Sequence, residues 1–384
     1  MKLIHTSDWH LGQKLMGFSR EKEHEEFMNW LYNKIIEREI DVLIISGDIF
    51  DSMTPPTSAI TNYYNFLEKI SRIEHLKQTI IIGGNHDSAS LLTSSKKILD
   101  RLKIKIVADG DNLEDEIILI PNIGVVCAIP FLKDGVLKKF VSDENLKDRK
   151  DSIINGIKKH YTETYEMAKK IAGDLPIVAT GHLTTSNILK GDGERDIYIG
   201  NLDGVSPEIF PPFHYIALGH IHKFQSVSEN IIYCGSPIPI TFREAKYEKY
   251  IVFKDLQKDI FEQIEVPKFK ELVSISTNFE NLQNEFSKIE KNSFVEIEIS
   301  DDYGSLIEEK IENLAKLYSL NILSRKFKGS RENSALLEEE KKIPVFLKDL
   351  QPEEIFLRKI DGIAENREEL ILSFREVLEE AIVS

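Results

Sequence analysis

Short apolar runs separated by longer amphipathic ones set the rhythm of the first two-thirds of the chain. Residues Lys2–Thr6, Val42–Ser46, 79–82, 125–129, 177–180 and 215–218 are rich in Ile and Val, as strands are. Between them, 21–38 places Phe27, Trp30, Leu31 and Ile35 at helical spacing, with charge on the other face. Residues 63–70 and 91–102 read as further helices. Alternation of this kind predicts an α/β fold. The pattern shortens at Pro267. Residues 295–299 alternate strictly, 306–318 is amphipathic, and Asn321–Phe327 reads as a strand, so a small α+β unit is expected. Helical periodicity returns beyond 331. Ile371, Phe374, Leu378 and Ile382 form one apolar stripe, and Pro352 stands where a helix can begin. The stripe packs either on this chain or on a partner. The expected divisions are 1–266, 267–330 and 331–384.

Composition narrows this picture. Of 384 residues, 41% are hydrophobic and 29% charged, a globular balance that excludes a disordered or fibrous chain. The net charge of −15 excludes a protein that coats nucleic acid through bulk charge. It does not exclude DNA as a substrate, because a local basic stretch or bound ions can reverse the sign at a site. Residues 133–160 hold eight Lys and Arg against five acids. They read either as a contact for a duplex backbone or as an ordinary solvated helix and loop. The two cysteines, Cys127 and Cys234, lie in apolar runs and are expected to be buried thiols, without a disulfide framework. The opening residues have no signal-peptide core. The longest apolar stretch, 117–132, is broken by Pro121, Asn122, Gly124 and Pro130, so a soluble cytoplasmic protein is expected.

The chemistry sits where the apolar runs stop. Five of them end in a polar signature: Asp8-Trp9-His10, Gly47-Asp48-Ile49-Phe50-Asp51, Gly84-Asn85-His86-Asp87, Gly181-His182 and Gly219-His220-Ile221-His222. Each follows a strand, so each is expected at a strand's carboxyl end, the edge on which α/β proteins build sites. Asp, Asn and His without sulfur suit Mn2+, Fe, Zn2+ or Mg2+.

These signatures resemble the calcineurin-like metallophosphoesterase superfamily. The flanking segments His5 to Gly12, Gly181 to Thr185, Arg195 to Gly200, Tyr215 to His222 and Tyr233 to Pro239 narrow the resemblance to the double-strand-break repair nucleases, and within them to the SbcD family of bacterial SbcCD nuclease subunits. The resemblance implies a four-layer sandwich of two mixed sheets flanked by helices, a small α+β capping domain and C-terminal helices. It implies two divalent ions, with Mn2+ expected and Mg2+, Fe and Zn2+ left open. Asp8, His10 and His222 would hold the first, Asn85, His182 and His220 the second, and Asp48 would bridge. His86 would stabilise developing charge and protonate the leaving oxygen, with Asp51 orienting it.

Asp87 reads as a turn cap, and His5 and His214 as structural. His24, His75 and His160 read as surface residues. The resemblance further implies phosphodiester hydrolysis at double-strand ends and hairpins, as 3′–5′ exonuclease and single-strand endonuclease, in repair and recombination. The implied partners are DNA, the ATPase subunit SbcC docked on the tail helices, and a second copy of this chain joined through about 58–70 and 91–102. Tyr63, Tyr64, Phe66 and Leu67 give the first of these helices ample apolar surface. Candidate DNA contacts are Lys14, Arg20, Lys138, Lys139, Arg149 and Lys150. Two alternatives stay open: a phosphomonoesterase or cyclic phosphodiesterase on the same fold, and a non-catalytic scaffold. No Gly-x-x-x-x-Gly-Lys-Ser/Thr loop occurs, so ATP dependence would belong to the partner.

Overall fold

The computed structural model describes residues 1–133, 135–137, 149–186, 188, 204–301 and 305–327. Two six-stranded sheets carry the first unit. One orders its strands Ile260–Glu265, Tyr250–Asp255, Lys2–Thr6, Val42–Ser46, Gln78–Ile82 and Ile104–Val107. The other runs Gln225–Ser226, Ile231–Tyr233, Tyr215–Gly219, Ile177–His182, Gly124–Ala128 and Ile117–Ile120. In the first, the four strands from Lys2–Thr6 to Ile104–Val107 are parallel, and Tyr250–Asp255 and Ile260–Glu265 add antiparallel pairings at the other edge. In the second, the four central strands are parallel and the two outer ones antiparallel.

The strands are nearly continuous apolar runs because both of their faces are covered. Leu3, Val42, Ile44, Ile80 and Ile82 meet Val126, Ala128, Val178 and Ala217 of the opposite sheet in one buried layer. Their neighbours Ile4, Leu43, Ile45 and Ile81 point the other way, onto Phe27, Leu31, Ile35, Tyr63, Phe66 and Leu67 of helices Glu21–Glu37 and Thr57–Ser71. On the far side, Cys127, Ala179 and Leu218 pack against Ile153, Ile157 and Tyr161 of helix Arg149–Ala172. The result is the expected four-layer α/β sandwich. A buried hydrogen bond between the Ser46 and Thr180 hydroxyls (2.8 Å) stitches the sheets together just short of their carboxyl ends.

A small α+β unit follows. Strands Leu272–Thr277, Phe294–Ile299 and Asn321–Phe327 form a parallel sheet. Helices Leu282–Phe286 and Ser305–Tyr318 contribute Leu282, Phe286, Ile311 and Leu314 to a core with Val295, Ile297 and Ile299. It joins the first unit through Leu15, Phe242, Leu272 and Phe294. The tail stripe on 331–384 lies outside the described residues.

Several expectations change. Residues 91–102 are two short helices, Ala89–Thr93 and Lys96–Leu99, followed by a 3-10 turn; at the break the Ser94 hydroxyl donates to the Leu91 carbonyl at 2.6 Å, competing for the local backbone. Tyr63, Phe66 and Leu67 are consumed by this chain's own core. His24 and His160 are buried rather than at the surface. His160 lies on the same face of its helix as Ile153, Ile157 and Thr164, and its Nε2 faces Glu116 at 2.8 Å. Both cysteines are buried, as expected. No helix among the described residues is long and apolar enough to cross a membrane.

The Glu116–His160 pair carries a stability prediction. Burial raises the Glu116 pKa, and His160 opposes that. Removing His160 by His160→Ala strands the carboxylate in the core and is expected to cost about 3–5 kcal/mol at neutral pH. A folded-state pKa above the unfolded one favours the fold at low pH and loses that contribution as pH rises. The deficit relative to the natural chain should therefore be larger at pH 8 than at pH 5 in urea denaturation. Equal deficits at the two pH values would contradict it.

Candidate metal centre

The carboxyl ends of five strands, three from one sheet and two from the other, converge on one edge. The loops after Lys2–Thr6 and Val42–Ser46 run side by side, with amides of Asp8, His10 and Leu11 donating to carbonyls of Gly47, Asp48 and Ile49 at 2.9–3.1 Å. This pairing projects Asp8, His10 and Asp48 inward from strained backbone. Their φ angles are 52°, 48° and 49°, and that of His220 is 95°. Non-glycine residues held in this region cost on the order of 1–3 kcal/mol each. Close approach also dictates two glycines. A Cβ on Gly47, itself at φ 89°, would strike the His182 ring, and one on Gly84 would strike the Asp48 carboxylate.

Two buried clusters result. Ligand-type atoms of Asp8, His10 and His222 lie within 4.8 Å of one another, and so do those of Asp48, His182 and His220. In the first cluster, His10 Nε2 faces His222 Nε2 at 3.2 Å. In the second, the Asn85 side-chain oxygen lies 2.9 Å from His182 Nε2 and 3.2 Å from His220 Nδ1. One oxygen of Asp48, Oδ2, stands between the clusters, 3.8 Å from His10 Nε2 and 3.4 Å from His182 Nε2. The sequence-predicted ligands therefore all meet in one place.

The donor set fits cations. His182 Nδ1 donates to the Ser46 carbonyl at 2.8 Å, so Nε2, facing the oxygens of Asn85 and Asp48, is the nitrogen open to a proton or an ion. His222 Nδ1 lies 3.2 Å from Glu244 Oε1, which likewise turns an Nε2 lone pair toward His10. Lone pairs aimed at each other at these separations repel unless a positive charge lies between them. The electrostatics agree. Burial opposes charge on His182, but the carboxylates of Asp48 and Asp8 raise its pKa to about 9. Burial likewise opposes ionisation of Asp48, yet His182 and His10 hold it well below the ordinary carboxylate range. His220 moves the other way, its pKa driven down by burial and by neighbouring His182.

Around the clusters, other residues fix geometry. The Asp87 carboxylate accepts from the amides of Gly84, Ile49 and Phe50 at 2.9–3.1 Å, so it is the turn cap expected of it. Burial and nearby Asp48 raise its pKa to about 6. His86 is oriented by the backbone carbonyl of Asp51, 2.8 Å from its Nδ1. The Asp51 carboxylate, expected to orient His86, lies in one cluster with His86 and His10, their ligand-type atoms within 4.8 Å of one another, and its Oδ1 is 3.4 Å from His10 Nδ1. Glu244 was not anticipated. It is 22 positions from His222 in sequence, in a segment without metal-motif spacing.

The basic candidates separate. Lys14 is exposed on the short strand Lys14–Leu15. Arg20, expected to meet phosphate, is fully buried. Its guanidinium forms a two-bond pair with Glu23 and donates to the Pro239 carbonyl at 2.8 Å, a structural clamp. Lys138 and Lys139 lie outside the described residues, and Arg149 and Lys150 are described only as the start of their helix.

Sandwich and site together define a class. A family model described as calcineurin-like phosphoesterase matches residues 1–224, and the chain belongs to that family. It is a metal-dependent phosphoesterase. Over 381 residues it is 34% identical to SbcD, the nuclease component of SbcCD, from Escherichia coli (strain K12), covering 94% of this chain and 92% of that one. A protein of the same name from Rhodobacter capsulatus is 32% identical over 272 residues, covering 67% of this chain and 66% of its own.

The contact between Gly84 and Asp48 can be tested directly. Gly84→Ala should displace Asp48 and weaken Mn2+ binding by about tenfold or more, read by equilibrium dialysis with metal analysis. Unchanged affinity for both ions would show that Asp48 need not sit where it does.

Proposed function

We propose that this chain is the nuclease subunit of an SbcCD-type complex, hydrolysing DNA phosphodiesters at double-strand ends and hairpins. The observation that carries the site is Asp48 Oδ2 placed between two histidine clusters. Asp8, His10 and His222 hold one divalent ion, Asn85, His182 and His220 the other, and Asp48 is shared. The hard oxygen and imidazole donors suit Mn2+. When bound, such a pair supplies Lewis acidity and lowers the pKa of water. The chain's own residues do the rest. The Asp51 carbonyl accepts Nδ1–H of His86 and leaves Nε2 as the atom that holds or releases a proton toward the departing sugar oxygen. Asp87 keeps the Asn85–His86 loop on the Asp48 loop.

The similarity to SbcD across both units, rather than to the phosphoesterase portion alone, favours DNA over a small ester. On this reading the α+β unit caps the site and helps orient the duplex. Lys14, exposed a few residues beyond His10, contacts phosphate without reading sequence. The tail helices dock the ATPase subunit. A second copy joins through the surface that carries exposed Ile98 and Leu102. The complex works in the cytoplasm.

The deciding experiment offers the purified chain, with Mn2+, linear duplex, hairpin and single-stranded DNA beside a small phosphomonoester. DNA hydrolysis is expected, and activity confined to the ester would overturn the proposal. His86→Ala should keep two ions and lose about 10²–10⁴-fold in kcat. Wild-type turnover with two ions bound would remove His86 from the reaction.

A further inference from the structure

A buried carboxylate outside the expected ligand set grips one of its members. Glu244 opens the 3-10 turn Glu244–Lys246 and is 5% exposed. Its Oε1 lies 3.2 Å from His222 Nδ1. Its Oε2 accepts from Lys249 Nζ at 2.8 Å, from the Ile240 amide at 3.1 Å and from the Ser236 hydroxyl at 3.4 Å. Lys249 Nζ also donates to the His222 carbonyl at 3.0 Å and to the Ser236 hydroxyl oxygen at 2.8 Å. The pair therefore holds His222 twice, by its ring and by its backbone.

This arrangement asks more of Glu244 than neutralising a lysine. An ammonium has three donors, and here each has an acceptor. Glu244 could meet Lys249 with either oxygen, and several donors already fix Oε2. Oε1 is thereby left turned on the one ring nitrogen of His222 that faces away from His10. A carboxylate at that nitrogen fixes the tautomer, sets the ring plane and makes the opposite nitrogen a better donor. His182, in the second cluster, is instead oriented by the neutral backbone carbonyl of Ser46. The described hydrogen bonds thus give the first cluster a charged outer partner and the second a neutral one.

The same segment anchors the first unit to the second. Phe242 and Ala245 pack with Leu15, Leu272 and Phe294, and the Val266 amide donates to the Lys249 carbonyl at 2.8 Å, just before the chain enters the α+β unit.

We propose that Glu244, clamped by Lys249, is a positioning residue for His222 and selectively strengthens the ion held with Asp8 and His10. The proposal rests on the two-ion reading above. Its rival is a purely structural ion pair that stabilises the turn without regard to metal.

The test titrates Mn2+ into the full chain by isothermal calorimetry, with electron paramagnetic resonance to separate single from paired ions. In Glu244→Ala, one of the two ions should bind about 10–100-fold more weakly and the other as in the natural chain. The paired-ion signal should appear only at higher Mn2+. If Glu244→Ala fails to fold, Glu244→Gln keeps the volume and an acceptor oxygen but loses the charge. It should weaken the same ion by about tenfold. Both ions bound with unchanged affinity in whichever variant folds, or both weakened equally, would overturn the proposal and favour the structural pair. A natural chain that binds no ion pair at all would remove the two-ion reading itself, and the proposal with it.

Discussion

One carboxylate oxygen between two groups of imidazoles is the constraint on which the rest of the structure depends. Asp48 must stay ionised although fully buried, and burial alone would protonate it. The neighbouring histidines and the His86 amide, which donates to Oδ1 at 2.9 Å, make the ionised form the stable one. That solution works only if five loops arrive together from two sheets. The Ser46–Thr180 bond and the paired Asp8 and Asp48 loops supply the register, and a one-residue slip in either sheet would turn the ligands away.

Convergence of this kind is costly locally, and the cost is borne by the layers beneath. Asp8, His10, Asp48 and His220 all sit at positive φ, directly after strands whose side chains are almost wholly enclosed. The strain lies where the proposed ligands are. The buried layer between the sheets, with helices on both outer faces, leaves the loops little freedom to relax. A stiff scaffold of this sort presents donors in nearly the geometry they need, so binding an ion requires little reorganisation.

Much of this was legible in the chain. Strand followed by polar signature, repeated five times, places the polar residues at one edge without any knowledge of contacts, and the alternation of elements gives the α/β class; the ligand assignment and the four-layer sandwich come from the family resemblance. The errors have particular causes. His24 and His160 sit among charged neighbours in sequence, yet each lies on the helical face of residues that are buried. For His160 that face is Ile153, Ile157, Thr164 and Ala168, a periodicity that could have been weighed above local charge. Arg20 looked free because one of its partners, the Pro239 carbonyl, is more than two hundred positions away. The Asp51 backbone carbonyl also meets His86, a contact that no residue identity encodes. Glu244 gave no local signal, since only the fold brings it to His222.

The overall acidity takes on a different meaning beside this geometry. Among the proposed ligands only Asp8 and Asp48 are carboxylates, while the rest are neutral imidazoles and an amide. Two divalent ions would leave their immediate surroundings at about +2, the reverse of the net charge of the chain. An anionic backbone would then be repelled over much of the surface and attracted at one recessed point. Arg20, the most conspicuous cation near that point in sequence, is committed to Glu23 and Pro239 and cannot contribute. Attraction must come from the ions themselves and from exposed lysines such as Lys14. The ligand geometry therefore governs both where a phosphate is held and whether it is held at all.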